Sequence, residues 1–262
     1  MEVYRESDVN QSKANEHNMR IKINLHAPDN VSIPIEYNFN IYQNIKKNLF
    51  EFLSDQKPKL FTKYKKNFPA FTFSQLMIPE RTIELGFIHV KGNFLSIYIA
   101  SADETFMEYL AKSIALQGRF QIFTHTLSLK KMEILTDPEF TPEMRFKMLS
   151  PLLLIKVENK KARFIRPDDP DMSDIFAHHL VDQYHHFFPG RFLPADIKII
   201  LDQDYIQRKS VLTKAITVRN VNYKTIFCPF TLKGEPELIQ FAYHNGIGVN
   251  THFGFGMMEI VE

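Results

Sequence analysis

Gly246, Gly248, Gly254 and Gly256 are four of the nine glycines in this 262-residue chain, and they fall within eleven positions near the C-terminus. Glycine has no Cβ, so such a cluster lets backbone N–H groups turn inward and approach another chain closely. Successive inward N–H groups form a nest that suits phosphate oxygens. With Asn250, Thr251 and His252 between them, these glycines form a candidate phosphate- or RNA-contacting loop. The pattern G-x-G-x5-G-F-G matches neither common nucleotide loop. A dinucleotide fingerprint needs a strand before it and a helix after it, and a P-loop needs a Lys-Ser or Lys-Thr step. Here a helix-like run precedes and a strand-like run follows, so a dinucleotide or NTP site is excluded.

Two basic stretches add cations. Gln56–Lys66 carries Lys57, Lys59, Lys63, Lys65 and Lys66 with no acid, and Tyr205–Gly234 is thirty residues without Asp or Glu. The second stretch carries Arg208, Lys209, Lys214, Arg219, Lys224 and Lys233. Net charge is only +2, so single-sign segments in a near-neutral chain point to a defined anionic partner. Tyr37, Tyr42, Tyr64, Tyr205 and Tyr223 are candidate stacking partners for unpaired bases. In Phe176–Phe187, His178, Asp182 and His185 or His186 recur at helical spacing. That run reads as a polar helix face with His179 or His186 bonded locally, rather than as a metal site. Cys228 is the one cysteine, which excludes a disulfide framework and a multi-cysteine zinc site. It reads as a small buried apolar residue.

The elements that position these residues follow from periodicity. Arg20–Leu25 alternates as a half-buried strand, and Ile41, Ile45, Leu49, Phe50 and Leu53 predict a helix over Asn40–Ser54. Strands are expected at Phe71–Met77, Thr82–Val90, Phe94–Ala100 and Arg119–Leu127, with a helix from Ser101 to Leu116 between the last two. This β-α-β-β-α-β order is the ferredoxin-like unit. The second half repeats it. Strands are expected at Met132–Leu135 and Arg145–Val157, a helix at Asp171–Phe187, and a strand at Asp196–Leu201. A basic pair at Ser210–Val218 and Tyr223–Leu232 precedes a helix at Glu235–Asn245 and a final strand at Met257–Val261. The fold class is α+β, with tandem ferredoxin-like (RRM-like) domains at 19–146 and 147–262. Residues 1–18 form a polar extension, read as a disordered tail. No apolar run is long enough to span a membrane, and the N-terminus lacks a signal-peptide core, so a cytoplasmic location is expected.

The glycine-rich terminus resembles the loop that marks the Cas6 family of CRISPR RNA-processing endoribonucleases, and four further patches occur in the family's order. Met19-Arg-Ile-Lys-Ile-Asn-Leu25 is similar to its first strand, and Ile33-Pro-Ile-Glu-Tyr-Asn-Phe39 to the entry of its first helix. Phe71-Thr-Phe-Ser-Gln-Leu76 resembles its Phe-Ser-x-Leu strand, and Leu149-Ser-Pro-Leu152 the step that opens its second domain. The family pattern begins at Met19, a candidate natural start.

This resemblance implies metal-independent cleavage within a CRISPR repeat, with no cofactor. The 2′-OH attacks the adjacent phosphate, the 5′-oxygen leaves, and a 2′,3′-cyclic phosphate remains. Many family members place a histidine just after the first helix, whereas no histidine occurs between His26 and His89 here. Matching the lysine segment onto the family puts Lys65, flanked by Tyr64 and Lys66, at that position, and Lys46 near a helix tyrosine of the family. These four are the expected catalytic neighbourhood. At its ordinary pKa of about 10.4 a lysine clamps phosphate rather than taking a proton. RNA contacts are expected from Lys59, Lys63, Arg208, Lys209, Lys214, Arg219, Lys224 and the loop residues Gly246, Gly248, Asn250, Thr251, His252, Gly254 and Gly256. The partner implied is CRISPR repeat RNA, with other Cas proteins of an effector complex and a second copy of the chain as further partners. The alternative is a repeat-RNA-binding subunit that does not cleave. A general tandem RRM binder lacks support, because no RNP1-type aromatic signature is present.

Overall fold

Helix α1 illustrates how the sequence builds the first domain: Ile41, Ile45, Leu49 and Leu53 form a stripe one turn apart, and all four are fully buried. The computed structural model describes residues 20–158, 160–191, 193, 196–209 and 211–261. The N-terminal extension 1–18 and Met19 lie outside the described residues, as does Ser210. The chain runs β1 (Arg20–His26), β2 (Ser32–Pro34), α1 (Asn38–Gln56), α2 (Pro58–Lys66), β3 (Thr72–Phe73), β4 (Arg81–Glu84) and β5 (Phe87–Val90). It continues with β6 (Phe94–Ala100), α3 (Glu104–Gln117), β7 (Arg119–Ile122) and β8 (His125–Ile134). The main sheet has the order β3-β6-β1-β8-β7, all antiparallel, with α1 and α3 packed on it. Asp103 caps α3 by accepting the Phe106 N–H at 2.9 Å, and Gly118 closes it in the left-handed region.

The second domain comprises β9 (Glu143–Met148), β10 (Ile155–Glu158), β11 (Lys161–Phe164), α4 (Met172–Phe187), β12 (Ile197–Leu201) and α5 (Gln203–Arg208). It ends with β13 (Thr213–Val218), β14 (Val221–Ile226), β15 (Phe230–Gly234), α6 (Pro236–Asn245) and β16 (Met258–Ile260). Its sheet order is β12-β15-β9-β16. Numbered within each unit, both four-strand cores read 2-3-1-4. The tandem ferredoxin-like fold is therefore present, with the β10–β11 and β13–β14 hairpins added to the second copy.

Several expected strands divide or move. Thr82–Val90 is a hairpin that turns at Leu85 and Gly86, both with positive φ. Of Phe71–Met77, only Thr72–Phe73 is a strand, with an isolated bridge from Met77 to Ser96. Arg119–Leu127 breaks at Phe123. Met132, read as opening the strand order of the second half, lies in β8 opposite Ile23 in the first sheet. Arg145–Val157 contains β9 and β10, and Tyr223–Leu232 contains β14 and β15, which join different sheets. The helices α2 and α5 were not anticipated. Because β9 pairs throughout within the second sheet, the chain passes between sheets at 135–142, ahead of the 146/147 division read from periodicity.

The two domains are joined by buried polar contacts. Arg20, only 1% exposed, donates to the Met258 carbonyl and places its guanidinium 3.9 Å from the Tyr243 ring centroid. Asp137, in the connecting segment, pairs with His244 at 2.8 Å. Thr72 Oγ1 donates to the Phe255 carbonyl at 2.8 Å, and Asn38 Nδ2 to the Phe253 carbonyl at 2.7 Å. These last two bonds tie the glycine loop to the first domain.

Candidate functional site

A cleft of about 620 Å³ opens where the two domains meet. Tyr42 of α1, Lys63 and Tyr64 of α2, the 67–70 segment and the N-terminus of α3 line it from the first domain. His186 and Phe187, at the end of α4, and His252, in the glycine loop, line it from the second. Proton-transferring side chains and a cation thus converge from segments far apart in sequence.

His252 sits in a single 3₁₀ turn, Thr251–Phe253, entered through Asn250 and left through Gly254, both left-handed. Its ring lies 5.4 Å from the Tyr42 centroid and 4.1 Å from that of Phe253. Burial disfavours the imidazolium and pushes the pKa down to about 4, so the ring is neutral at pH 7 and can accept a proton. Tyr64 behaves oppositely. Its ring is core, 2% exposed, and its hydroxyl donates to Asp103 Oδ2 at 3.1 Å. Burial, and then the Asp103 carboxylate, raise the phenol far above its ordinary value. It stays protonated and orients the carboxylate that caps α3.

The expected catalytic lysines are placed elsewhere. Lys65 and Lys66 are exposed on α2 and lie outside the cleft lining; Lys65 Nζ rests 5.9 Å from the Phe61 ring. Helical geometry is the reason: Lys65 lies about 100° round the helix from buried Tyr64 on the side away from Lys63, and Lys66 about 200°, so both point to solvent. Lys63 faces the cleft, with Nζ 5.9 Å from the Tyr64 ring, and Lys59 is exposed near the start of the helix. Lys46 lies over Phe50 and Phe68, at 5.4 and 5.3 Å, and lines a second cavity along α1 together with Arg219.

The basic stretch of the second domain is dispersed rather than gathered. Lys214 reaches the Phe227 ring at 5.9 Å, while Lys224 lines a separate depression with Arg163 and Arg166. Arg208 donates to the Asp204 carbonyl at 3.1 Å at the exposed end of α5, followed by exposed Lys209.

Most of the glycine loop is closed on itself and its neighbours rather than an open nest. The N–H groups of Gly246, Ile247, Val249, Phe253, Gly254, Phe255 and Gly256 all donate to backbone carbonyls, and that of Met257 donates to Ser150 Oγ. A Cβ on Gly256 would sit 1.8 Å from the Ile247 carbonyl oxygen, and one on Gly254 would sit 2.4 Å from the Phe73 ring. The glycines allow the loop to press against β3 and onto itself. Phe255 is fully buried beneath it, as expected for an anchor. Of the loop residues, His252 lines the cleft, while Gly246, Gly248, Thr251, Gly254 and Gly256 are buried and Asn250 is half-buried.

His186 was missed. Sequence spacing placed it correctly on a helix with His178 and Asp182, which pair at 3.2 Å on the solvent face, and with His179, which bonds the Ile155 carbonyl at 2.8 Å. Nothing local shows that the end of that helix lines the same cleft as α2 and α3. No group of three or more metal-binding side chains occurs among the described residues. Cys228 is buried, as expected. Tyr37 is core, its oxygen accepting the Leu76 N–H at 3.2 Å, and Tyr223 packs on Phe164 and Phe255. Of the tyrosines proposed for stacking, Tyr42 and Tyr64 line the cleft.

The tandem ferredoxin-like fold agrees with what comparison with known proteins finds. The family model for the C-terminal part of CRISPR-associated protein Cas6 matches residues 135–260. The chain is 26% identical over 251 residues to the CRISPR-associated endoribonuclease-like protein Cas6 of Pyrococcus furiosus, covering 93% of this chain and 99% of that protein. It is 25% identical to the CRISPR-associated endoribonuclease Cas6 1 of Methanocaldococcus jannaschii, covering 93% of each. A solved structure of a Cas6-related protein from Pyrococcus furiosus superimposes with a TM-score of 0.78 at 24% identity, covering 93% of this chain and 98% of that one. The family model, the relatives and the solved structure all indicate the Cas6 family.

Proposed function

We propose that this protein binds CRISPR repeat RNA across the interdomain cleft and cuts precursor RNA there without a metal ion. The observation that carries this reading is His252, held neutral against Tyr42 in a cleft that Lys63 and His186 also line. A relative named as an endoribonuclease and one named as endoribonuclease-like support it.

Cleavage needs three services from the protein. In line with the departing oxygen, the 2′-oxygen attacks phosphorus; its proton passes to the free ring nitrogen of His252. The P–O5′ bond breaks as His186 gives a proton to the leaving oxygen, and the phosphate closes as a 2′,3′-cycle. Lys63, a compact cation, offsets the charge of the crowded phosphorus. A base with a pKa near 4 is weak, so rate depends heavily on holding the 2′-oxygen in line. The Tyr64–Asp103 bond fixes the start of α3 and shapes that wall of the cleft.

The test is incubation of the full chain with its cognate repeat RNA in EDTA. The expected product ends in a 2′,3′-cyclic phosphate, and His252→Ala and His186→Ala slow its formation while binding persists. Tight binding without product from the unmodified chain would assign it instead to repeat binding without cleavage, the reading favoured if the weak His252 base is insufficient.

A further inference from the structure

The second cavity, of about 660 Å³, follows α1 and lies beside the cleft, sharing Tyr42 with it. Its volume is within the range of about 300–1,000 Å³ common to small-ligand sites. Three kinds of side chain line it. Phe39, Phe50 and Phe123 supply aromatic surface, Gln43, Asn44 and Gln121 supply amides, and Lys46, Lys47 and Arg219 supply cations. Among the described residues, no carboxylate lines it.

Two turns from different domains are held in unusual conformations at its walls. Phe123 turns the β7–β8 hairpin at φ +51, and Arg219 turns the β13–β14 hairpin at φ +50. Bulky residues rarely adopt this region unless the surroundings impose it. At Phe123 the imposition is visible: its N–H donates to Asn40 Oδ1 at 2.7 Å, and its carbonyl accepts from Gln121 Nε2 at 2.9 Å. Arg219 places its guanidinium 5.1 Å from the Phe39 ring. Gln43 has no hydrogen-bond partner among the described residues, and Asn44 uses only its carbonyl oxygen, accepting from Asn48.

We infer that this cavity captures one unpaired nucleotide of the bound RNA, its base against the Phe39–Phe123 aromatic surface, its edge read by the Gln43 and Gln121 amides, and its phosphate met by Lys46 and Arg219. Aromatic faces accept bases only when these are unstacked, whereas a duplex hides its base faces and offers phosphates and hydroxyls. A duplex site would need the cations but not the rings. Because Tyr42 lines both cavities, the captured nucleotide belongs to the strand that enters the cleft. This inference rests on the RNA-binding reading above and adds a point of sequence discrimination to it.

Fluorescence anisotropy of the full chain with labelled oligo(A), oligo(U) and oligo(C) RNAs, together with cleavage of the repeat RNA, tests it. Phe123→Leu keeps apolar volume but removes the ring face, and binding should weaken roughly 5- to 100-fold. Gln43→Ala, at an exposed position that cannot threaten folding, should shift the affinity ratio among the three RNAs by roughly tenfold. A 4-thiouridine placed in the repeat should cross-link to the 119–128 peptide. If repeat RNA is bound and cut, yet both variants match the unmodified chain, the nucleotide pocket is overturned and the cleft reading stands. If RNA is bound but never cut, and the variants weaken binding as stated, the pocket stands and the cleavage reading falls. An unmodified chain that binds none of these RNAs overturns both.

Discussion

The glycine loop and helix α2 flank the same cleft, but the protein holds them in opposite ways. The loop is packed on both sides: seven of its N–H groups donate to backbone carbonyls, Thr72 and Asn38 bond its carbonyls, and Phe255 fills the space beneath. Helix α2 is packed along one edge only, where Tyr64 is its single buried residue. One segment is therefore rigid and exposes one chemically useful side chain, His252. The other is a solvated cationic face from which Lys63 reaches inward. A rigid support suits a group that must be positioned within fractions of an ångström, whereas a flexible ammonium suits long-range attraction of phosphate.

This contrast can be broken most directly at His252. Replacement by alanine should reduce cleavage by roughly 10²–10⁴-fold with RNA affinity little changed, measured by single-turnover cutting of the repeat. An equal loss in binding and cutting would make the loop a binding element only. Next in size is the scaffold itself. Gly256→Ala combines left-handed strain with a backbone collision and should destabilise the protein by about 2–5 kcal/mol in urea denaturation. Gly190→Ala, which shares a positive φ but meets open space, should cost only about 1–2 kcal/mol.

A smaller effect appears with pH. His252 has a folded pKa of about 4, below its ordinary 6.5, so the unfolded chain takes up that proton first as pH falls. The resulting stability is fully present above pH 6.5 and is lost as pH drops through 4, by about 3 kcal/mol at most. In His252→Gln this part of the acid sensitivity should vanish when urea midpoints at pH 7.5 and pH 4 are compared. The smallest effect belongs to the outer face of α2. Lys65→Ala and Lys66→Ala should leave stability within about 0.5 kcal/mol. Each should cut repeat RNA at close to the unmodified rate. A large loss of cutting from either would return the catalytic role to α2.

Much of the architecture was legible because it depends on local periodicity. The Ile41–Leu53 stripe, the Asp103 cap and the alternation in β1 each encode an element and its buried face within a few residues. The hairpins were harder. Leu85 and Phe123 adopt turn conformations that their side chains do not favour, so no turn signal appeared at either position. Strand partnership was not local at all: Met132 alternates equally well in either sheet, and only its place opposite Ile23 decides which.

The candidate site shows the same division more sharply. The sequence by itself determined a tandem ferredoxin-like fold, a glycine loop that requires left-handed backbone, and a resemblance to the Cas6 family. It also held every residue of the cleft in plain view. Only the tertiary structure decided which of them meet, because Tyr42, Lys63, His186 and His252 are brought together by the packing of one domain on another. Residue type states what a side chain can do. Whether it is desolvated, partnered or turned to solvent is set by neighbours from elsewhere in the chain, and that is why one histidine of the ten is held neutral between domains while Lys65 and Lys66 face water.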